Sequence, residues 1–123
     1  MEFKVIQVDS TTVVEGVPGE PFMAGARDVA LLIEECLSSS AGAALLYAAN
    51  LSPQFFDLSS GQAGEILQKL RNYHLRLAVV CPPGSVTLSR RFEELMIEER
   101  REPYFGLFDA RDEALAWIAS PGV

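Results

Sequence analysis

Hydrophobic positions in the chain switch between a two-residue and a three-to-four-residue period, and the switches divide it into short strands and amphipathic helices. Phe3-Lys4-Val5-Ile6-Gln7-Val8 is β-rich, Asp9-Ser10-Thr11 supplies turn formers, and Thr12-Val13-Val14 resumes an apolar stretch, which together read as a β-hairpin with strands over 3–8 and 12–15. Two prolines and two glycines in Gly16-Val17-Pro18-Gly19-Glu20-Pro21 make that segment a loop. Val29, Leu32, Ile33, Cys36 and Leu37 then recur at helical spacing, which predicts a helix over 26–38 with one buried face. Ser38-Ser39-Ser40-Ala41-Gly42 ends it, and the unbroken apolar run at 43–48 has the length of a strand covered on both faces.

The second half repeats the alternation. Asn50-Leu51-Ser52-Pro53 offers an N-cap serine and a first-turn proline, so a short helical turn through Phe55-Phe56 is expected. A longer helix follows, with Ala63, Ile66, Leu67 and Leu70 on one face and Ser59-x-x-Gln62 in the form of a capping box. Residues 75–80 predict another buried strand and Cys81-Pro82-Pro83-Gly84-Ser85 a loop. Leu88, Phe92, Leu95 and Met96 predict a third long helix, whose charged run reads as a solvated face. A strand at 104–108 and a helix capped by Asp109, with Ala114, Leu115 and Ile118 inward and Trp117 at the edge of that face, complete the pattern.

The resulting order, β-β-α-β-α-β-α-β-α, predicts one α/β domain over residues 1–123: a mixed sheet of about five strands with helices packed against it. Helical crossovers make the strands parallel from the second onward, and the opening hairpin adds one antiparallel edge strand. Ligands of open parallel sheets bind beyond the carboxyl ends of the strands. The candidate rim is therefore Asn50, the loop from Asp57 to Gly61, Cys81 to Ser85, and Asp109.

Composition narrows the chemistry. Hydrophobic residues make up 49% of the 123, enough for one real core. Ten Lys and Arg against 17 Asp and Glu leave a net charge of -7, which disfavours nucleic acid and acidic membrane surfaces as partners. No apolar run approaches the roughly 20 residues of a membrane-spanning helix. Met1-Glu2-Phe3-Lys4 leads directly into the first strand without the parts of a signal peptide, so a cytoplasmic location is expected. Cys36 and Cys81, with no C-x-x-C, are expected as buried thiols, and His74 has no partner at zinc spacing, so no metal site and no cofactor are expected. Neither phosphate-loop glycine pattern occurs, and a serine or cysteine nucleophile finds no histidine on the rim, so no catalytic residues are assigned and the chain is not expected to be an enzyme.

Leu51-Ser52-Pro53-Gln54-Phe55-Phe56-Asp57-Leu58, Gly61, Ala63-Gly64-Glu65-Ile66-Leu67-Gln68-Lys69-Leu70 and Asn72-Tyr73 resemble a bacterial family catalogued as domain of unknown function 4180. Leu77-Ala78-Val79-Val80 and Glu113-Ala114-Leu115-Ala116-Trp117 extend the likeness over most of the chain; the resemblance implies the fold and no activity. The architecture, with Phe56-Asp57-Leu58-Ser59-Ser60-Gly61 opening a helix after a buried strand, also looks like the STAS domains of anti-sigma factor antagonists. Those carry Asp-Ser-Ser-Gly and are phosphorylated on its first serine; here Leu58 interrupts the motif. That resemblance implies a phosphorylated position at Ser59. Taken as residues, Ser59 and Ser60 serve equally as helix caps, the commoner use of serine there, or as an anion or phosphate site received by the first helical amides.

Two functions compete. The leading expectation is a small regulatory or protein-interaction module of STAS-like type, with a protein as partner and a homo-oligomer compatible with it. The alternative is a small-molecule or anion-binding module, or an enzyme, using the rim of Asn50, Asp57, Gly61, Cys81, Ser85 and Asp109.

Overall fold

The computed structural model describes residues 3–17, 26–51, 62–82 and 104–119. Strands β1 (Phe3–Val8), β2 (Thr11–Gly16), β3 (Ala43–Tyr47), β4 (Arg76–Val80) and β5 (Phe105–Phe108) form one sheet in the order β1-β2-β3-β4-β5. β1 is antiparallel to β2, and every later pair is parallel. This is the mixed α/β sheet that the alternation predicts. Helices α1 (Ala26–Ser38), α2 (Gln62–Asn72) and α3 (Arg111–Ala119) pack against it.

Strands laid side by side in chain order and joined by right-handed crossovers place their connecting helices on one face. α1 and α2 accordingly share a face, where Val29, Leu32, Ile33, Cys36, Ile66, Leu67 and Leu70 pack on Val14, Ala44, Leu46, Leu77, Val79 and Phe105. The opposite row of the strands, Val13, Ala43, Leu45, Ala78 and Val80, packs on Ala114 and Ile118 of α3. Continuous apolar strands are thus explained: β3 and β4 are covered on both faces.

Several boundaries differ from the sequence reading. β2 continues through Gly16, because the ladder to β1 pairs Gly16 with Phe3. β3 ends at Tyr47, and Ala48–Asn50 forms a 3₁₀ turn earlier than the turn expected near Phe55, which lies outside the described residues. The helix expected around 88–101 and the capping box at Ser59 also lie outside them. Leu115 and Trp117 are half-buried, and Cys81, expected as a buried thiol, is also half-buried, whereas Cys36 is fully enclosed.

α1 and α2 end alike. Ala41 N–H donates to the Cys36 carbonyl at 2.8 Å and Ser40 N–H to Leu37 at 3.2 Å; Leu75 N–H donates to Leu70 and His74 N–H to Arg71, both at 3.0 Å. These are Schellman closures, with Ser40 (φ 55°) and His74 (φ 57°) in the left-handed position usually filled by glycine. The only histidine is therefore an exposed helix-ending residue.

Candidate functional site

The carboxyl ends of β2 and β3 carry a connected set of buried and half-buried polar groups. Strand alternation puts Glu15 on the same face as Val13, and Tyr47 on the same face as Leu45, both toward α3. Glu15 is only 6% exposed. The Tyr47 hydroxyl donates to its Oε2 at 2.5 Å. Arg111, in the first turn of α3, donates from Nε to Oε2 at 2.9 Å and from its terminal nitrogen to Oε1 at 3.2 Å, a bidentate fork. Lys4 stands directly across the β1–β2 ladder from Glu15 and adds positive potential.

Burial alone pushes the Glu15 carboxyl up, but the hydrogen bonds from Arg111 and Tyr47 and the charges of Arg111 and Lys4 outweigh it, leaving the carboxyl below its ordinary value. Burial first, then the hydrogen bond to Glu15 and its charge, push the Tyr47 phenol up to about 12. The two shifts run in opposite directions, one holding the carboxyl ionised and the other holding the phenol protonated, so each keeps one protonation state around pH 7. That suits a fixed junction better than a proton shuttle.

Asn50 closes the same end on the other face of the sheet. It is fully buried; its Oδ1 accepts from Tyr47 N–H at 2.8 Å and its Nδ2 donates to the Val17 carbonyl at 2.8 Å. The 3₁₀ turn after β3 brings it back under Gly16, where an added Cβ would lie 2.9 Å from Asn50 Oδ1. Asn50 is therefore a brace between the ends of β2 and β3, not a side chain open on the rim.

Of the other rim positions, Cys81 follows β4 and its N–H donates to the Phe108 carbonyl at 2.7 Å, which sets it beside the end of β5 and near Asp109. Asp109 is exposed. It does not directly precede α3: Ala114 N–H donates to the Ala110 carbonyl, which makes Ala110 the residue at the cap position. Asp57, Ser59, Ser60, Gly61 and Ser85 lie outside the described residues. Glu15, Tyr47 and Arg111 had no place in the sequence reading. Their one visible signal is an acid two residues after Val13, in the inward row of a strand.

At the far end of α3, Arg76 on β4 donates to the Ile118 and Trp117 carbonyls, both at 3.0 Å, with its guanidinium 4.0 Å from the centre of the Trp117 ring. Burial holds the Arg76 pKa below its usual value. Among the described residues no group of three or more His, Cys, Asp or Glu side chains could hold a metal ion. Among them, too, no helix is long and apolar enough to cross a membrane.

Fold and junction together define a three-layer α/β protein whose strand ends, where described, are closed by the chain's own polar side chains. Residues 8–118 match the family described as a domain of unknown function, DUF4180, and the chain belongs to that family. Neither the curated proteins nor the solved structures compared contain a match.

Proposed function

We propose that this domain is a regulatory protein-interaction module, STAS-like in type and cytoplasmic, that works by surface contact and not by catalysis. The observation that carries the reading is the closed junction: Glu15, Tyr47 and Arg111 satisfy one another, and Asn50 is spent on Val17 and Tyr47. An open, convergent set of polar groups is what a small-molecule site needs, and these groups face inward. The net charge of -7 favours a partner other than nucleic acid. Ser59 and Ser60 are the positions at which a phosphate would change the partner, by adding about -1.5 to -2 charges beside Asp57.

The test combines capture with reconstitution. Wild type, Ser59→Asp and Ser60→Asp serve as baits in native cytoplasm, phosphosites are mapped on the endogenous protein, and each recovered partner is purified and titrated against the chain. The expected result is a stoichiometric partner whose affinity changes about tenfold or more in one aspartate variant at unchanged melting temperature. A small molecule that raises the melting temperature at stoichiometric occupancy, with no protein binding the purified chain, overturns the reading in favour of the rim as a ligand site.

A further inference from the structure

We propose that α3 is a detachable lid: it lifts from the sheet as one unit while the sheet and the α1–α2 layer stay folded. Among the described residues the sheet separates a larger buried cluster from a smaller one. On the α1–α2 side the buried cluster draws on two helices and four strands, whereas the other cluster takes only Ala114 and Ile118 from α3, with Leu115 and Trp117 half-buried beside them. Nine residues make a helix about 13.5 Å long, too short to persist without docking. Two polar fastenings, one at each end, add to its apolar contact with the sheet. Arg111 reaches from the helix to Glu15, and Arg76 reaches from the sheet to the last carbonyls of the helix.

One partner of each fastening stays on the sheet when the helix leaves, Glu15 of the first and the Arg76 guanidinium of the second, while Arg111 and the Ile118 and Trp117 carbonyls go with the helix. Glu15 keeps Tyr47 as a donor and Lys4 as a neighbouring charge, and Asn50 braces the strand ends through the Tyr47 N–H and the Val17 carbonyl. The lid covers a continuous apolar strip. Val13 pairs with Ala43, Leu45 with Ala78, and Tyr47 with Val80 across adjacent strands. α3 follows β5 after only Asp109 and Ala110, so its first residues stay near the strand ends when the segment leaves the sheet.

The molecule carries its own reporter, since Trp117 is the sole tryptophan and sits on α3, under Arg76 and 5.4 Å from the Phe108 ring. Hydrogen exchange of the full chain, read by mass spectrometry, is expected to show residues 115–119 at least about tenfold less protected than β3 and β4, with opening of α3 as a unit. Arg111→Ala is expected to speed exchange in 115–119 by a further factor of about ten or more and leave β3 and β4 unchanged. In urea, Trp117 emission is expected to change before far-UV ellipticity does. Equal protection of α3 and the central strands in wild type, or coincident transitions by the two probes, overturns the proposal without any variant. Should Arg111→Ala fail to fold, Arg76→Met tests the opposite fastening by the same comparison.

Discussion

Gly16→Ala tests the brace at the strand ends. Gly16 has no positive φ, so alanine fits its backbone and in open space would stabilise a strand by about 0.5–1 kcal/mol. The space is not open: the new Cβ would lie 2.9 Å from Asn50 Oδ1 and 3.0 Å from Leu46 Cδ2. Leu46 can turn its methyl aside, but Asn50 is pinned by bonds of 2.8 Å on both sides of its amide. Overpacking of this kind costs about 1–3 kcal/mol, and stretching one buried hydrogen bond adds about 1 kcal/mol, so a net loss of about 1–3 kcal/mol is expected. For a chain of 123 residues that corresponds to a melting temperature lower by about 4 °C per kcal/mol. Asn50→Ala alone is expected to cost about 2–4 kcal/mol, since it leaves the Tyr47 N–H and the Val17 carbonyl without this partner. In the Asn50→Ala background the obstruction is gone, so adding Gly16→Ala should be neutral or favourable, with a coupling of about 1–3 kcal/mol between the two changes. Urea melts of the four proteins by circular dichroism measure this. If Gly16→Ala costs the same with and without Asn50, the contact does not act as described.

Acid sensitivity follows from Glu15. Its folded pKa lies below the unfolded one, so its stabilisation is complete above the ordinary carboxylate range, about pH 4.5, and disappears as pH falls through the lower folded value. Urea midpoints of wild type should fall more steeply below about pH 4.5 than those of Glu15→Gln, and parallel curves would refute this assignment. His74→Gly should raise stability by about 0.5–1 kcal/mol because it removes a side chain from a left-handed backbone position, and a lower urea midpoint would count against the helix-ending role. Burial and the nearby Glu35 charge push the Cys36 thiol up to about 12, so a thiol reagent at pH 8 should label half-buried Cys81 in the folded protein and reach Cys36 only on unfolding. Equal labelling rates would contradict the enclosure of Cys36.

Local periodicity carried most of the fold. The 3–8 alternation and the 26–38 helical stripe coincide with β1 and α1, because each depends on neighbours within one turn or one pleat. The directions of the strands, and β1 as an antiparallel edge strand, followed from connection rules, whereas their order along the sheet was not read from the sequence. The junction was not legible in the same way. Arg111 meets Glu15 across 96 positions and Tyr47 meets it across 32, and only the registration of β2 with β3 and the docking of α3 on the sheet bring them together. Asn50 was visible as a rim residue but not as a buried one, since its burial depends on the missing side chain at Gly16 and on a 3₁₀ turn that an apolar run does not announce. Ser40 and His74 ended their helices without the glycine that usually marks such a stop.

The place of β1 in the sheet bears on how the protein behaves at high concentration. Among the described residues β1 pairs only with β2 and so stands at the edge of the sheet, and Val5 on it is 48% exposed. An exposed edge of alternating apolar residues is a template for the strand of another molecule. Lys4 is the one charge in Phe3-Lys4-Val5-Ile6-Gln7-Val8, and adding a strand there would force its ammonium against a copy of itself or into an apolar neighbour. Its replacement by valine would leave six uncharged residues of high β-propensity on that edge, and precipitation during expression or concentration is the expected outcome, with the folded domain otherwise intact.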